Sequence, residues 1–298
     1  MTATGKSGYT GLRIIRRARS RGFSFYLVEV IVWALMIAVA LYELLPVMWM
    51  FSTSLRLPGE SYELPPSFFP TSWNWKNYAS VLRSEQIDYP RFFYNSVKLA
   101  GINVAAVLLT CSLAGFSFAR LRYKGRDLFF FLFLASMMVP AQVYVIPLFI
   151  IVRNLGLIDT HLAIILPALT SSLGVFLIRQ YFLTLPGELF DSAKIDGAGY
   201  FRVYWQIMMP LVGPGLSALA ILTFMGQWNN FFGPLLFLRS WEKLTLPIAL
   251  VTLEGYMGSG SRSEVLAAIM LSIFPVLVFF LIAQRYVVEG IALTGLKG

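Results

Sequence analysis

Three amides and an indole stand together in an otherwise apolar stretch: Gln227, Trp228, Asn229 and Asn230, with Gly226 before them and Gly233-Pro234 after. Amides hydrogen-bond hydroxyls and an indole stacks on an apolar ring face. The chemistry on offer is recognition of a hydroxyl-rich solute rather than bond cleavage. Polar groups inside a lipid-spanning helix cost a few kcal/mol unless they face protein or water, which makes them candidates for a solute path. They also suit hydrogen bonding between helices. Ser171 and Ser172 beside Gly174, and Gln142 and Tyr144 between Pro140 and Pro147, pose the same choice. Glu43 is an acid deep inside an apolar block, one turn before Pro46. A proton-coupled carrier needs such a group, and a carboxylate turned to the bundle interior is the plainer reading.

Catalysis is poorly provided for. The 298 residues hold one cysteine, Cys111, and one histidine, His161. That excludes an internal disulfide and a His/Cys metal cluster. No glycine-rich phosphate loop is present, so nucleotide hydrolysis belongs to another chain and no cofactor is expected in this one. An intramembrane enzyme needs paired catalytic groups within its spans, and none is found. A secondary transporter or channel for a small polar solute is the alternative. It calls for inverted repeats and several midplane ionisable groups, and the sequence offers neither beyond Glu43.

The elements that must position these residues are membrane helices. The chain is 57% hydrophobic and 13% charged, with a mean hydropathy of +0.70, against about 25% charged residues in soluble domains. Crossing the hydrocarbon takes ~20 mostly apolar residues. Six blocks satisfy that: 27–51, 93–118, 128–152, 162–182, 211–238 and 265–283. The first is too long for a signal-peptide core. The net charge of +9 brackets apolar blocks instead of lining a polar face, which argues for lipid and against nucleic acid. Lys6, Arg13, Arg16, Arg17, Arg19 and Arg21 precede the first block, and Arg120, Arg122, Lys124 and Arg126 fill the connection between the second and third. The positive-inside rule then places both termini in the cytoplasm. The expected fold is an all-α integral membrane protein of six transmembrane helices. It has a basic cytoplasmic segment over 1–26, a six-span domain over 27–284 and a cytoplasmic tail over 285–298.

The connection between the fourth and fifth blocks, LPGELFDSAKIDGAGYFRVYWQIMMPLVGP, has a pattern of its own. Pro186, Glu188 and Asp191 suit the start of a helix, and Gly197 suits the left-handed residue that ends one. A second short helix follows from about Gly199 to Met209, and Pro210 stops it or kinks it into the fifth block. Phe190, Ala193, Ile195, Tyr200 and Phe201 are apolar residues in a loop that should face water. Such a segment fits a partner's groove, or packs beneath its own bundle.

The same stretch resembles the cytoplasmic loop of ATP-binding-cassette importer permeases, which runs Glu-Ala-Ala, three residues, Gly, nine residues, Ile-x-Leu-Pro. The matching positions here are Asp191-Ser192-Ala193, Gly197, Ile207 and Met209-Pro210, with Asp196-Gly197-Ala198 also fitting. Asp, Ser and Met depart from the pattern and leave the strength of docking open. Segments from Pro65–Tyr78, Leu113–Arg126, Met137–Phe149, Gln227–Leu238 and Gln284–Gly298 extend the likeness to the maltose-type carbohydrate importers over about residues 25–298.

The resemblance implies a permease of a bacterial cytoplasmic membrane. It would work with a second permease, a different chain by the habit of the subfamily, with two ATPase subunits that carry ATP and Mg, and with an extracytoplasmic solute-binding protein. Glu188, Asp191, Ser192, Ala193, Asp196, Gly197, Ala198, Tyr200 and Phe201 would contact the ATPase. The substrate path would draw on Gln227, Trp228, Asn229, Asn230, Gln142, Tyr144, Ser171, Ser172 and Glu43. By position alone, the loop of Gly255, Tyr256, Met257, Gly258, Ser259 and Gly260 would meet the binding protein.

Overall fold

In the computed structural model the described residues (23–57, 59–62, 68–84, 88–257 and 261–295) form helices and turns, with no strand among them. The basic residues from Lys6 to Arg21 lie outside them. Helix α1, Phe23–Ser54, is apolar around its whole circumference, and every residue from Tyr26 to Met48 is exposed. A helix with no polar face belongs in lipid or in a protein core. Glu43 is exposed on it.

The remaining residues, from Met50 on, form a separate compact unit. It comprises α2 (Lys76–Arg83), α3 (Tyr89–Arg120), α4 (Arg126–Ser136), α5 (Ala141–Asn154), α6 (Leu162–Ile165), α7 (Ser172–Thr184) and α8 (Gly187–Ile195). After these come α9 (Tyr200–Arg202), α10 (Met209–Leu211), α11 (Gly213–Trp228), α12 (Phe232–Phe237), α13 (Leu246–Met257) and α14 (Arg262–Gly295). Three helices are unbroken and long enough to cross a membrane, over Tyr26–Ser54, Tyr89–Arg120 and Arg262–Ile282. They correspond to the first, second and sixth expected blocks.

The three middle blocks are each bent or broken rather than single straight helices. α4 and α5 meet at 100°, where Pro140, at ψ 138°, stands between them outside helical geometry. α6 continues through a 3-10 turn holding Pro167, and the axis turns 41° before α7. The block expected over 211–238 ends as a helix at Trp228 and resumes only as α12. Its other end differs too. α9, a π-helical turn over Val203–Met208, and α10 carry the helix through Pro210, and the 79° bend falls at Val212, before Gly213-Pro214 opens α11. One further expectation changes: Gly255–Met257 is the last turn of α13 rather than a loop tip. Residues 285–295, the start of the expected tail, are helical and continue α14. Gly258, Ser259 and Gly260 lie outside the described residues.

Helix α3 is the centre of the unit. It packs most extensively on α7, then on α11, and buries Leu99, Ala100, Val107, Cys111 and Phe116. Helices in lipid gain little from burying apolar surface against one another, so close approach through small residues does the work. At Gly115 a Cβ would lie 3.0 Å from the backbone N of Arg179 on α7. At Gly174 a Cβ would lie 2.8 Å from Cys111 Sγ and 3.0 Å from Leu219 Cδ1, where α7, α3 and α11 converge. Overpacking of this kind costs about 1–3 kcal/mol. Gly174→Ala is therefore expected to lower the thermal midpoint of the detergent-purified chain, and Cys111→Ala in the same chain to recover part of the loss. A midpoint unchanged by Gly174→Ala contradicts the packing assigned to this junction.

Candidate functional site

The segment between α7 and α11 is a rigid two-helix tip. Arg120, the last residue of α3, donates from Nη2 to the carbonyls of Phe182 and Leu185, the latter at 2.6 Å, and fixes the exit of α7. α8 then runs to Ile195 and closes with two bonds, from Ala198 N to Ala193 O at 2.9 Å and from Gly197 N to Lys194 O at 3.1 Å. This is the paired bonding of a Schellman cap, and it needs Gly197 at φ +79°. Lys194 Nζ donates to Ala198 O at 2.9 Å and sits 4.0 Å from the Tyr200 ring centroid, so one cation ties both helices of the tip together.

One face of the tip is anchored to the bundle. Ala193, expected among the outward residues, is buried at 7% exposure, because the helical repeat turns it toward the π-helical turn of Val203 and Tyr204, within the apolar cluster that includes residues of α3 and α7. Phe190 packs 6.2 Å from Phe116 and stacks on Tyr200 at 6.3 Å. Tyr204, in the π-helical turn, shares a 2.7 Å hydrogen bond with Ser112 of α3. The other face is open: Ile195 is 86% exposed and Phe201 71%. Glu188, Asp191, Ser192, Asp196 and Gly197 are also exposed, as is Tyr200 beside Phe201.

The polar residues expected along a solute path gather at the helix breaks. Ser171 caps α7 by accepting from Gly174 N at 3.1 Å, and Ser172 Oγ lies 2.8 Å from Ser136 Oγ, joining the break before α7 to the one after α4. Gln142 and Tyr144 are exposed in the first turn of α5, just past that break. Asn229 Nδ2 donates to Met225 O at 2.9 Å, and Asn230 Oδ1 accepts from Gly233 N at 3.1 Å, so these two amides close α11 and open α12. Trp228 differs from its neighbours. It is 5% exposed and packs against Phe93 and Phe224, on the core side of α11 rather than beside the amides.

A cluster not singled out from the sequence lies in the connection after α5. Asp159, at φ +60°, accepts on Oδ1 from the backbone N of Arg239 and of Ser240, both at 2.9 Å. Its Oδ2 accepts from Ser240 Oγ and, at 3.0 Å, from Lys243 Nζ. His161 Nε2 lies 2.9 Å from Lys243 O, and burial holds its imidazole below the ordinary value. The clamp joins residues 80 apart in sequence, and its only local sign is an aspartate, tolerant of left-handed backbone, in a short connection.

Helices broken in mid-bundle around polar caps, with a rigid tip held out from one end, define a membrane permease fold. A family model described as "binding-protein-dependent transport system inner membrane component" matches residues 111–292. The chain is 38% identical over 231 residues to an arabinooligosaccharides transport system permease protein of Halalkalibacterium halodurans, covering 78% of this chain and 82% of the relative. It is 35% identical over 205 residues to a lactose transport system permease protein of Rhizobium radiobacter, covering 69% and 75%. In fold it is similar to a chain of a bacterial ABC transporter involved in the import of the acidic polysaccharide alginate, with a TM-score of 0.78 and 24% identity over 89% of this chain and 98% of that one. The chain belongs to the family of binding-protein-dependent transport system inner membrane components.

The Asp159 clamp gives a test of the site's frame. Hydrogen bonds from the Ser240 hydroxyl and backbone, then from Arg239 and Lys243, hold its carboxyl well below the usual range. A carboxyl depressed in the folded state stabilises above its unfolded value, about 3.9, and that contribution fades as pH falls below it. Asp159→Asn keeps the tolerance for positive φ. It is expected to lower the thermal midpoint at about pH 7, and its gap to the wild type to narrow below about pH 4. A gap constant across that range contradicts an electrostatic clamp.

Proposed function

We propose that this chain is one of two permease subunits, paired with a different chain, in an ATP-driven importer. The importer moves a sugar or short oligosaccharide, delivered by an extracytoplasmic binding protein, into the cytoplasm. The chain crosses a bacterial cytoplasmic membrane six times, each bent pair of helices serving as one span, with both termini inside. Residues 27–284 form the pore domain, and 1–26 and 285–298 are its cytoplasmic ends. ATP and Mg are bound by two separate ATPase subunits, and this chain catalyses nothing.

The observation that carries this reading is the tip over Gly187–Arg202. It is fastened to the bundle by Ala193, Phe190 and Tyr204, yet it presents Ile195, Tyr200 and Phe201 outward. An apolar knob on a capped helix pair suits a groove in another protein. Glu188, Asp191, Ser192, Asp196, Gly197 and Ala198 frame it. ATPase closure would push on the tip, and the tip would move the helices bonded to it. Sugar as cargo is supported by the arabinooligosaccharide and lactose relatives. Gln227, Asn229, Asn230, Gln142, Tyr144, Ser171 and Ser172 then offer neutral hydrogen-bonding groups along the path. The end of α13 with Gly258–Gly260 would meet the binding protein.

Gly197 separates docking from folding. A Cβ there meets no other atom within 4 Å, so a substitution is strained only through the backbone at φ +79°. A β-branched residue is a marked outlier there. Gly197→Val in the reconstituted importer is expected to leave insertion and assembly with the second permease intact, and to abolish sugar uptake driven by ATP. Normal uptake by that variant defeats the assignment of the tip as the ATPase contact.

A further inference from the structure

Near the middle of the 32-residue α3 stands Asn103, 1% exposed. Neither its Nδ2 nor its Oδ1 has a hydrogen-bond partner among the described residues. Burying an amide unpaired costs several kcal/mol, and more than nine in ten buried polar groups avoid it. Both amide atoms are shut off from solvent, so no bulk water takes over the missing bonds. Nothing in the local pattern sets this asparagine apart from the other polar residues of the second block.

Asn103 lines a cavity of about 290 Å³ between α3, the break before α7, and α11. Thr170, Ser171, Thr223 and Gln227 give it further hydroxyl and amide groups, and Leu219 gives it an apolar wall. No lining residue is charged. The volume is near the lower bound of about 300 Å³ for small-molecule sites, enough for one ring rather than a whole oligosaccharide. One amide offers a donor and an acceptor side by side, which matches two neighbouring hydroxyls: one donates to Oδ1 and the other accepts from Nδ2. The absence of any cation disfavours a phosphorylated or carboxylated sugar. The amide atoms are sealed in this conformation, so a hydroxyl reaches them after a side-chain movement at the inner wall. Gln227 stands there, accepting from Asn230 through a bond as long as 3.4 Å.

We infer that Asn103 is a specificity-determining residue of a subsite for one ring of a neutral sugar, formed by α3, Thr170–Ser171 and α11. The inference rests on the sugar-importer reading above and adds that this chain itself touches the cargo, through a residue of its second span.

The test uses the complete importer in proteoliposomes, with its binding protein and ATPase, and compares the transported sugar with its monodeoxy analogues. The wild type is expected to take up at least one analogue about tenfold or more slowly, the discrimination a hydrogen-bonding site imposes. Asn103→Leu, with the same branched shape and number of side-chain heavy atoms but without either polar group, is expected to keep ATP hydrolysis stimulated by loaded binding protein while losing that discrimination. If Asn103→Leu keeps wild-type discrimination, or loses stimulated hydrolysis and uptake together, the inference is overturned. A second arm does not depend on that variant. Thr223→Cys is expected to react with a membrane-impermeant thiol reagent and to be protected by the sugar, with the buried native Cys111 silent. Absence of labelling, or labelling that sugar does not slow, also overturns it. A wild-type importer that moves no neutral sugar at all brings down the broader function, whereas normal wild-type transport with an indifferent Asn103→Leu brings down this subsite alone.

Discussion

A helix that breaks inside lipid leaves amide and carbonyl groups with no water to bond, so each break must bring its own partners. That constraint organises the broken helices of this chain. The break before α7 is closed by Ser171 on Gly174 N, and the one after α4 is tied to it through Ser136 and Ser172. The break after α11 is closed by Asn229 and Asn230. The polar side chains that a solute would meet are thus largely those that make the breaks possible. Asn103 is the exception. It lies within an intact helix, serves no backbone group, and has no partner among the described residues, which is why it reads as a site and the serines read first as caps.

The sequence made the helical class and the apolar blocks plain, because six ~20-residue runs of mostly apolar residues point to lipid as their solvent. The tip between α7 and α11 was equally legible, since Gly197 and the apolar residues around it are local signals, and its Schellman cap follows from that glycine. What stayed hidden was long-range. Three blocks that look continuous by hydropathy are bent or broken, since an apolar residue is as acceptable in a break as in a helix and only Pro140, Pro167 and Gly213-Pro214 mark the places. Ala193 and Trp228 turned inward because a helix has two faces, and composition does not say which one the rest of the chain will cover. Asp159 was missed because its partners, Arg239, Ser240 and Lys243, follow some 80 residues later.

Helix α3 connects these parts mechanically. At its first turns, Asn95 Nδ2 donates to the carbonyls of Glu242 and Leu244, both at 2.9 Å, and Ser96 Oγ accepts from Leu246 N at 2.8 Å. The same connection carries Lys243, which the Asp159 clamp and His161 hold. At its last turns, Ser112 bonds Tyr204, Phe116 packs on Phe182 and Phe190, and Arg120 caps α7. One 32-residue helix, about 48 Å long, is therefore fastened at one end to a polar clamp and at the other to the exposed tip.

A push on the tip cannot be absorbed locally. Gly115 and Gly174 bring α3, α7 and α11 so close that no slack remains for side chains to slide, and packed interiors respond by shifting as bodies rather than by compressing. The softer places are the bends, at 100°, 41° and 79°, where few backbone bonds resist a change of angle. On the proposed function, motion entering through Tyr204 and Arg120 would be carried along α3 and taken up at those bends, which is where the hydroxyl and amide groups stand. The cavity beside Asn103 lies between the unbroken α3, the break before α7 and α11, so a change of bend angle there would alter the walls of the cavity while its asparagine stays with α3.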